Sequence, residues 1–347
     1  MALMCGCQLD VVLRSYEQNL GLVIWCPRYG SCRPDTGLIA CSMVLPAALG
    51  GSAMSDSLPS VGVLGAGVLG AAIMQRLLDQ GFDVTVWNRS SAKLEQFSTQ
   101  GAHIAATPRA LAERVDICLT CVTDGAAVEA IVFGQDGIAA VADASKTLVD
   151  MSTMDSNHAR ELAQRLHDNC AMPWLDAPIS GGPPAAYEGR MTVMVGGDEG
   201  VFERMRPLWN ALAGNCTLMG ANGAGQATKM VNQVLVACGF VVLAEACGLA
   251  ERAGVDAARL AEVFAGGRAD SRLLQEYAKK MATSDFAVGS SISIIAKDLR
   301  LIHTLADGLD APMPITSAVA EVHRKMISDG YGDADNSELI RFYRTHS

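Results

Sequence analysis

The sequence predicts an α/β fold, an N-terminal doubly wound sheet followed by an all-α C-terminal domain. Three observations predict it. A glycine-punctuated strand-to-helix turn opens at Val61. Strand-like and helix-like runs alternate from there to about residue 219. From 220 onward only helical patterns follow, led by one long apolar helix. Alternation of this kind implies parallel strands with helices on both faces.

The first element reads Val61-Gly-Val-Leu-Gly65-Ala66-Gly67-Val68-Leu69-Gly70, an apolar strand running into GxGxxG. Residues 71–80 then have a helical pattern with Gly81 as C-cap. Residues 82–87 alternate as a second strand and stop at Asn88-Arg89-Ser90. GxGxxG carries weight only in such a strand–helix–strand context, where it marks a Rossmann-type dinucleotide site. Gly65 permits the tight turn, Gly67 lets backbone approach a pyrophosphate, and Gly70 lets helix and strand pack closely. The diphosphate lies against free N–H groups at the helix N-terminus. The end of the second strand separates NAD from NADP. NAD sites usually carry a carboxylate there, whereas Asn88 is neutral and Arg89 can grip a 2′-phosphate bidentately. NADP(H) is therefore the expected cofactor, ahead of NAD(H). Its expected contacts are Gly65, Ala66, Gly67, Val68, Leu69, Gly70, Asn88, Arg89 and Ser90.

Strands are expected next at 117–122, 147–151, 174–177 and 191–195, with helices at 126–132 and 156–167. In open parallel sheets the loops at strand C-terminal ends carry the ligand. Val122, Thr123 and Asp124 sit at one such end and Ser152 and Thr153 at another, both placed to touch the nicotinamide half. Two further segments stand out. Asp176-Ala-Pro-Ile-Ser180-Gly181-Gly182 is a turn with exposed backbone donors, a suitable nest for a carboxylate. Gly223-Ala-Gly225-Gln-Ala-Thr-Lys229-Met-Val-Asn232-Gln233 opens the long helix, and its spacing puts Lys229, Asn232 and Gln233 on one face. Burying such groups unpaired is costly. The helix alone leaves Lys229 open between a salt-bridged lysine and a catalytic one. The stretch 230–244 is too short for a membrane span and contains Asn232 and Gln233; it reads as a helix buried on all sides.

Composition narrows the function classes. The chain has 347 residues, half of them apolar and 18% charged, with a formal net charge of -10. That charge argues against non-specific nucleic-acid binding. Of eleven cysteines, five precede residue 42. Cys118 and Cys121 form a CxxC on a predicted strand, where residues three apart face opposite ways and cannot easily pair. Core thiols in a reducing, cytoplasmic setting are expected. The six histidines show no metal-ligand spacing, and no metal is expected. Residues 1–57 show no period; no basic stretch leads directly into an apolar one, which argues against a secretory signal, and the few acidic residues leave a transit peptide open with weak support. The segment reads as a disordered or non-native extension ahead of Met54, with domains at 58–219 and 220–347.

Taken in order, GxGxxG, the strand-end Asp-Met-Ser-Thr153, DAPxSGG, GxGxxxKxxN and Lys297-Asp298-Leu cover residues 60–345. Together they resemble the β-hydroxyacid dehydrogenase family, which includes 3-hydroxyisobutyrate dehydrogenase, tartronate semialdehyde reductase and the glyoxylate/succinic semialdehyde reductases. The resemblance implies that Lys229 is the catalytic acid and base. It implies that Ser180, Gly181, Gly182, Asn232 and Gln233 bind the substrate, and that Thr153 and Lys297 join Val122 and Thr123 in contacting cofactor. The implied reaction is NADPH-dependent reduction of a short aldehyde acid, in a homodimer or homotetramer with no membrane or nucleic-acid partner. Two residues depart from the family pattern. Leu69 replaces a usual methionine, a volume-conserving change. Gln233 replaces a frequent second asparagine, which bears on substrate preference. An imine reductase-like enzyme and a catalytically silent dinucleotide-binding module are the alternatives. Lys229 weighs against the first, and the filled catalytic positions against the second.

Overall fold

The computed structural model describes residues 58–287 and 289–344. The reading of residues 1–57, with Met54 as the start, lies outside the described residues. The sheet half runs β1 (Val61–Leu64), α1 (Val68–Asp79), β2 (Val84–Trp87), α2 (Glu95–Ser98), β3 (His103–Ile104), α3 (Pro108–Arg114), β4 (Ile117–Thr120) and α4 (Gly125–Phe133). It continues through β5 (Thr147–Asp150), α5 (Ser156–Cys170), β6 (Trp174–Asp176), β7 (Ile179–Ser180), α6 (Gly182–Tyr187), β8 (Met191–Gly196), α7 (Glu199–Arg204), α8 (Arg206–Leu212) and β9 (Ala213–Gly220). The helical half is α9 (Ala224–Arg252), α10 (Leu260–Phe264), α11 (Arg272–Thr283), α12 (Ile292–Asp307), α13 (Pro314–Ser328) and α14 (Ile340–Arg344).

The strand order is β3-β2-β1-β4-β5-β6-β8-β7, with β9 also paired to β8. Strands β1 to β6 pair in parallel, whereas β8 runs antiparallel to β6 and β7. Every residue of β1, β4 and β5 is buried, which explains why these strands read as unbroken apolar runs. One apolar layer holds Val61, Ile73, Leu77 and Leu119; the opposite layer holds Leu64, Cys118, Leu148 and Leu166. Cys118 lies in the second layer and Cys121 packs against the first, both as free thiols. The order reverses between β1 and β4. Ligands bind at such switch points, outside the carboxyl ends of the strands.

The helical half has its own core, in which Phe240, Ala244 and Cys247 of α9 meet Leu274, Met281, Ile295 and Leu299. The expectation that residues 230–244 are buried on all sides is wrong. Val231, Leu235, Val242 and Leu249 are each at least 60% exposed. They fall at i, i+4, i+11 and i+18 and form a stripe along one face. Among the described residues, helices α11 to α14 cover other faces of α9 and leave this one bare.

Candidate active site

The glycine-rich loop joins β1 to α1. Gly65 has φ 114°, and a Cβ there would lie 2.3 Å from the Cys121 carbonyl. A Cβ on Gly70 would lie 2.0 Å from the Gly65 carbonyl. Gly67 is different, since a Cβ there meets nothing within 4 Å. Two glycines thus serve the packing of the turn, and the third leaves an open cradle at the start of α1, as a dinucleotide diphosphate requires. Ala66 N–H donates to Asn88 Oδ1 at 2.9 Å, and Asn88 Nδ2 donates to the Ser90 carbonyl at 2.9 Å. Asn88 therefore brackets the loop with both ends of its amide. Arg89 and Ser90 beside it are exposed, and Arg89 has no hydrogen bond or ion pair among the described residues. Val68 and Leu69 form the first turn of α1, with Val68 pointing into open space.

At the ends of β4 and β5, buried Asp150 organises the loops. Its Oδ1 accepts from Thr120 Oγ1 at 2.8 Å and from Ser152 N–H at 3.0 Å, and Ser152 Oγ accepts from Val122 N–H at 3.0 Å. Burial pushes its carboxyl up to about 6 against these bonds, with register partner Asp176 adding to the rise. Lys297 Nζ of α12 donates to the Thr123 carbonyl at 3.2 Å and the Thr153 carbonyl at 3.4 Å, and pairs with Asp298 at 3.4 Å. Val122, Thr123, Thr153 and Lys297 thus come together on one side of the glycine loop.

Lys229 sits in the second turn of α9, buried. Its Nζ donates to the Ile179 carbonyl at 2.8 Å and to Gln233 Oε1 at 3.1 Å. Gln233 Oε1 also accepts from Asn232 Nδ2 at 2.8 Å, and Gln233 Nε2 donates to Asp298 Oδ2 at 2.5 Å. Both ends of the Gln233 amide are thereby taken within the protein. Burial pushes the Lys229 amine down to about 8; Asp298 opposes that fall and Lys297 deepens it. The Ile179 carbonyl belongs to the strand leading into Ser180, Gly181 and Gly182. The two glycines have φ of 118° and 65° and open α6, so successive N–H groups face a common side.

Sequence reasoning assigned no role to three residues that hold this arrangement. Asp176 Oδ1 accepts from Gly223 N–H at 2.8 Å and Oδ2 from Gln226 N–H at 3.0 Å, which caps α9 from 47 residues away. Gln226 Nε2 donates to the Ser152 carbonyl at 2.9 Å, and its Oε1 accepts from Met154 N–H at 3.1 Å. Asp150 is the third. Asp176 and Asp150 end strand runs that look structural; the partners of Asp176 are disclosed only where α9 meets β6, and those of Asp150 only where β4 meets β5.

Residues 60–220 match the NAD-binding domain of 6-phosphogluconate dehydrogenase, and residues 223–343 match the NAD-binding family of NADP-dependent 3-hydroxyisobutyrate dehydrogenase. The chain is 35% identical over 247 residues to 2-hydroxy-3-oxopropionate reductase of Escherichia coli, across 71% of this chain and 84% of that protein. A 3-hydroxyisobutyrate dehydrogenase structure from Salmonella typhimurium superposes with a TM-score of 0.74 at 30% identity, covering 82% of this chain and 99% of the other. An imine reductase from Pseudomonas sp. shares the fold, with a TM-score of 0.55 at 24% identity over 82% of this chain and 98% of its own. The chain belongs to the β-hydroxyacid dehydrogenase family of 3-hydroxyisobutyrate dehydrogenase-like proteins. It is an NAD(P)-dependent oxidoreductase acting on CH–OH groups.

Proposed function

We propose that this chain uses NADPH to reduce a short aldehyde acid to its hydroxy acid, with Lys229 donating the proton. The observation that carries the reading is the buried Lys229 amine, held near 8 and hydrogen-bonded to the Ile179 carbonyl at the root of the Ser180-Gly181-Gly182 loop. When bound, the dinucleotide supplies a hydride. The rest is done by the chain's own residues. Gly67 and the first turn of α1 accept the diphosphate, and Arg89, exposed and without a partner among the described residues, takes the 2′-phosphate, which favours NADP(H). The Ser180-Gly181-Gly182 backbone donors hold the substrate carboxylate and so fix its carbonyl, a restriction that lowers the barrier by several kcal/mol. Asn232 Oδ1, with no hydrogen bond among the described residues, accepts from the substrate. Protonated Lys229 donates to the carbonyl oxygen as it becomes an alkoxide; a pKa near the working pH serves proton transfer in both directions.

The apolar stripe of Val231, Leu235, Val242 and Leu249 supports a homodimer or homotetramer built on α9, because the described residues of one chain leave that surface in water. Light scattering on the purified protein measures this, and a monomer at micromolar concentration refutes it.

NADPH consumption is measured with glyoxylate, succinic semialdehyde, methylmalonate semialdehyde and 2-hydroxy-3-oxopropionate, the last because a relative is named as its reductase. At least one is expected to be reduced, faster with NADPH than NADH. Lys229→Ala is expected to keep NADPH binding and lose most turnover. Wild-type turnover in that variant refutes the assignment.

A further inference from the structure

Among the buried polar groups, one side chain joins the two halves of the site. Gln226 is fully buried in the first turn of α9. Its amide reaches the loop after β5, giving a hydrogen bond to the Ser152 carbonyl and taking one from Met154 N–H. Those two residues flank Thr153, whose carbonyl accepts from Lys297 Nζ. Three residues further along α9 is Lys229. The Gln226 backbone N–H is itself fixed by Asp176 Oδ2, so the amide projects from a helix end that cannot slide.

We infer that Gln226 is a positioning residue: its amide locks the loop at residues 152–154 to the helix that carries Lys229, so that cofactor and proton donor keep one fixed separation. The inference rests on the proposed roles of Thr153 and Lys229. A buried amide bonded at both ends resists displacement strongly, because either broken bond strands a polar group away from water. Ser152 has its own bonds to Asp150 and Val122, but without Gln226 the 153–154 part of the loop is left to Lys297, whose side chain is 29% exposed.

The test uses the full chain with Gln226→Leu and Gln226→Glu. NADPH affinity is read by energy transfer from tryptophan, turnover by NADPH oxidation with the best aldehyde acid, and folding by thermal unfolding. Gln226→Leu removes both bonds, and each of NADPH affinity and kcat is expected to fall roughly tenfold or more. Gln226→Glu keeps the bond from Met154 N–H but has a donor for the Ser152 carbonyl only when protonated. Its NADPH affinity is therefore expected to recover as pH falls from 8 to 5.5, relative to wild type. A residue that merely supports the fold lowers the unfolding temperature and leaves the affinity of the folded protein, and its pH dependence, unchanged.

Folded variants with wild-type NADPH affinity and kcat overturn the inference. If Gln226→Leu does not fold, a pH-independent, wild-type affinity in Gln226→Glu overturns it alone. If the wild type reduces none of the aldehyde acids, the proposed reaction fails, and the NADPH titrations still decide the role of Gln226.

Discussion

Asp298→Asn tests the electrostatics of the site most directly. Asp298 and Lys229 do not touch. The Gln233 amide stands between them, accepting from Lys229 at 3.1 Å and donating to the Asp298 carboxylate at 2.5 Å. Asparagine at 298 keeps an acceptor for Gln233 Nε2 and removes only the charge. That charge opposes burial in setting the Lys229 amine at about 8, so its loss moves the value further down. A neighbouring opposite charge shifts a group by roughly one to three pKa units, and with an amide interposed the lower figure applies. In the proposed mechanism Lys229 must be protonated to donate, so the rate of reduction follows the protonated fraction. Wild type is expected to be level below about pH 7 and to lose activity through about 8. With the limb one unit lower, Asp298→Asn is roughly fivefold slower than wild type at pH 8 and about tenfold slower above pH 9, yet nearly equal at pH 6. The assay is kcat/KM for reduction from pH 5.5 to 10, with NADPH saturating. Superimposable profiles refute the coupling. A uniform loss at every pH refutes it too, since that would mean misplacement of the amine.

Three other outcomes follow from the geometry. Gly67→Ala is expected to fold with wild-type stability and bind NADPH weakly, because its Cβ meets only the open cradle. In Gly70→Ala the Cβ meets the Gly65 carbonyl at 2.0 Å, so both unfolding temperature and binding fall; equal behaviour in the two variants contradicts the division of roles. Arg89→Ala is expected to weaken NADPH binding about tenfold while sparing NADH, given the strength of bidentate phosphate contacts; equal losses for both cofactors refute that contact. His323 is buried on α13, with Nδ1 bonded to the Val319 carbonyl, and burial lowers its pKa below the ordinary histidine value of 6.5. The unfolded chain therefore takes up the proton first as pH falls. The histidine's contribution is whole above 6.5 and is lost as pH falls below that value toward the folded pKa. Urea unfolding at pH 7.5 and 5.5 is expected to show up to about 1 kcal/mol lost through this group, a loss absent in His323→Leu.

The dinucleotide loop was legible because its chemistry is local: GxGxxG, the helix behind it and Asn88-Arg89 all lie within thirty residues. Within it, Asn88 bonds Ala66 and Ser90 with the two ends of its amide, and Arg89 and Ser90 stand exposed beside it, the arrangement on which the proposed 2′-phosphate contact rests. The edge of the sheet was less legible. β9 reads Ala-Gly-Asn-Cys-Thr-Leu-Met-Gly, and its positions are exposed or at most half-buried, so it carries neither the apolar run of β1 nor strict alternation. The exposed face of α9 was misread for the opposite reason. A helix apolar all round gives no period by which to tell a face that meets its own core from one left for another surface.

The least legible residues are those that shape Lys229, and one close approach accounts for them. A Cβ on Gly225 would lie 2.4 Å from the Asp176 carbonyl and 2.5 Å from the Met194 carbonyl; only glycine lets the start of α9 press against β6 and β8. That approach brings the Gly223 and Gln226 N–H groups onto Asp176 and carries Lys229 under the Ile179 carbonyl. It also buries the lysine beside Lys297, and burial and that neighbouring charge both disfavour the cation. Asp176 caps the helix at its origin, and Asp298 answers the amine through Gln233. The amine is thus held between forces that discharge it and forces that keep it charged, and its readiness to give up a proton depends on Gly225 as much as on its own position in the chain.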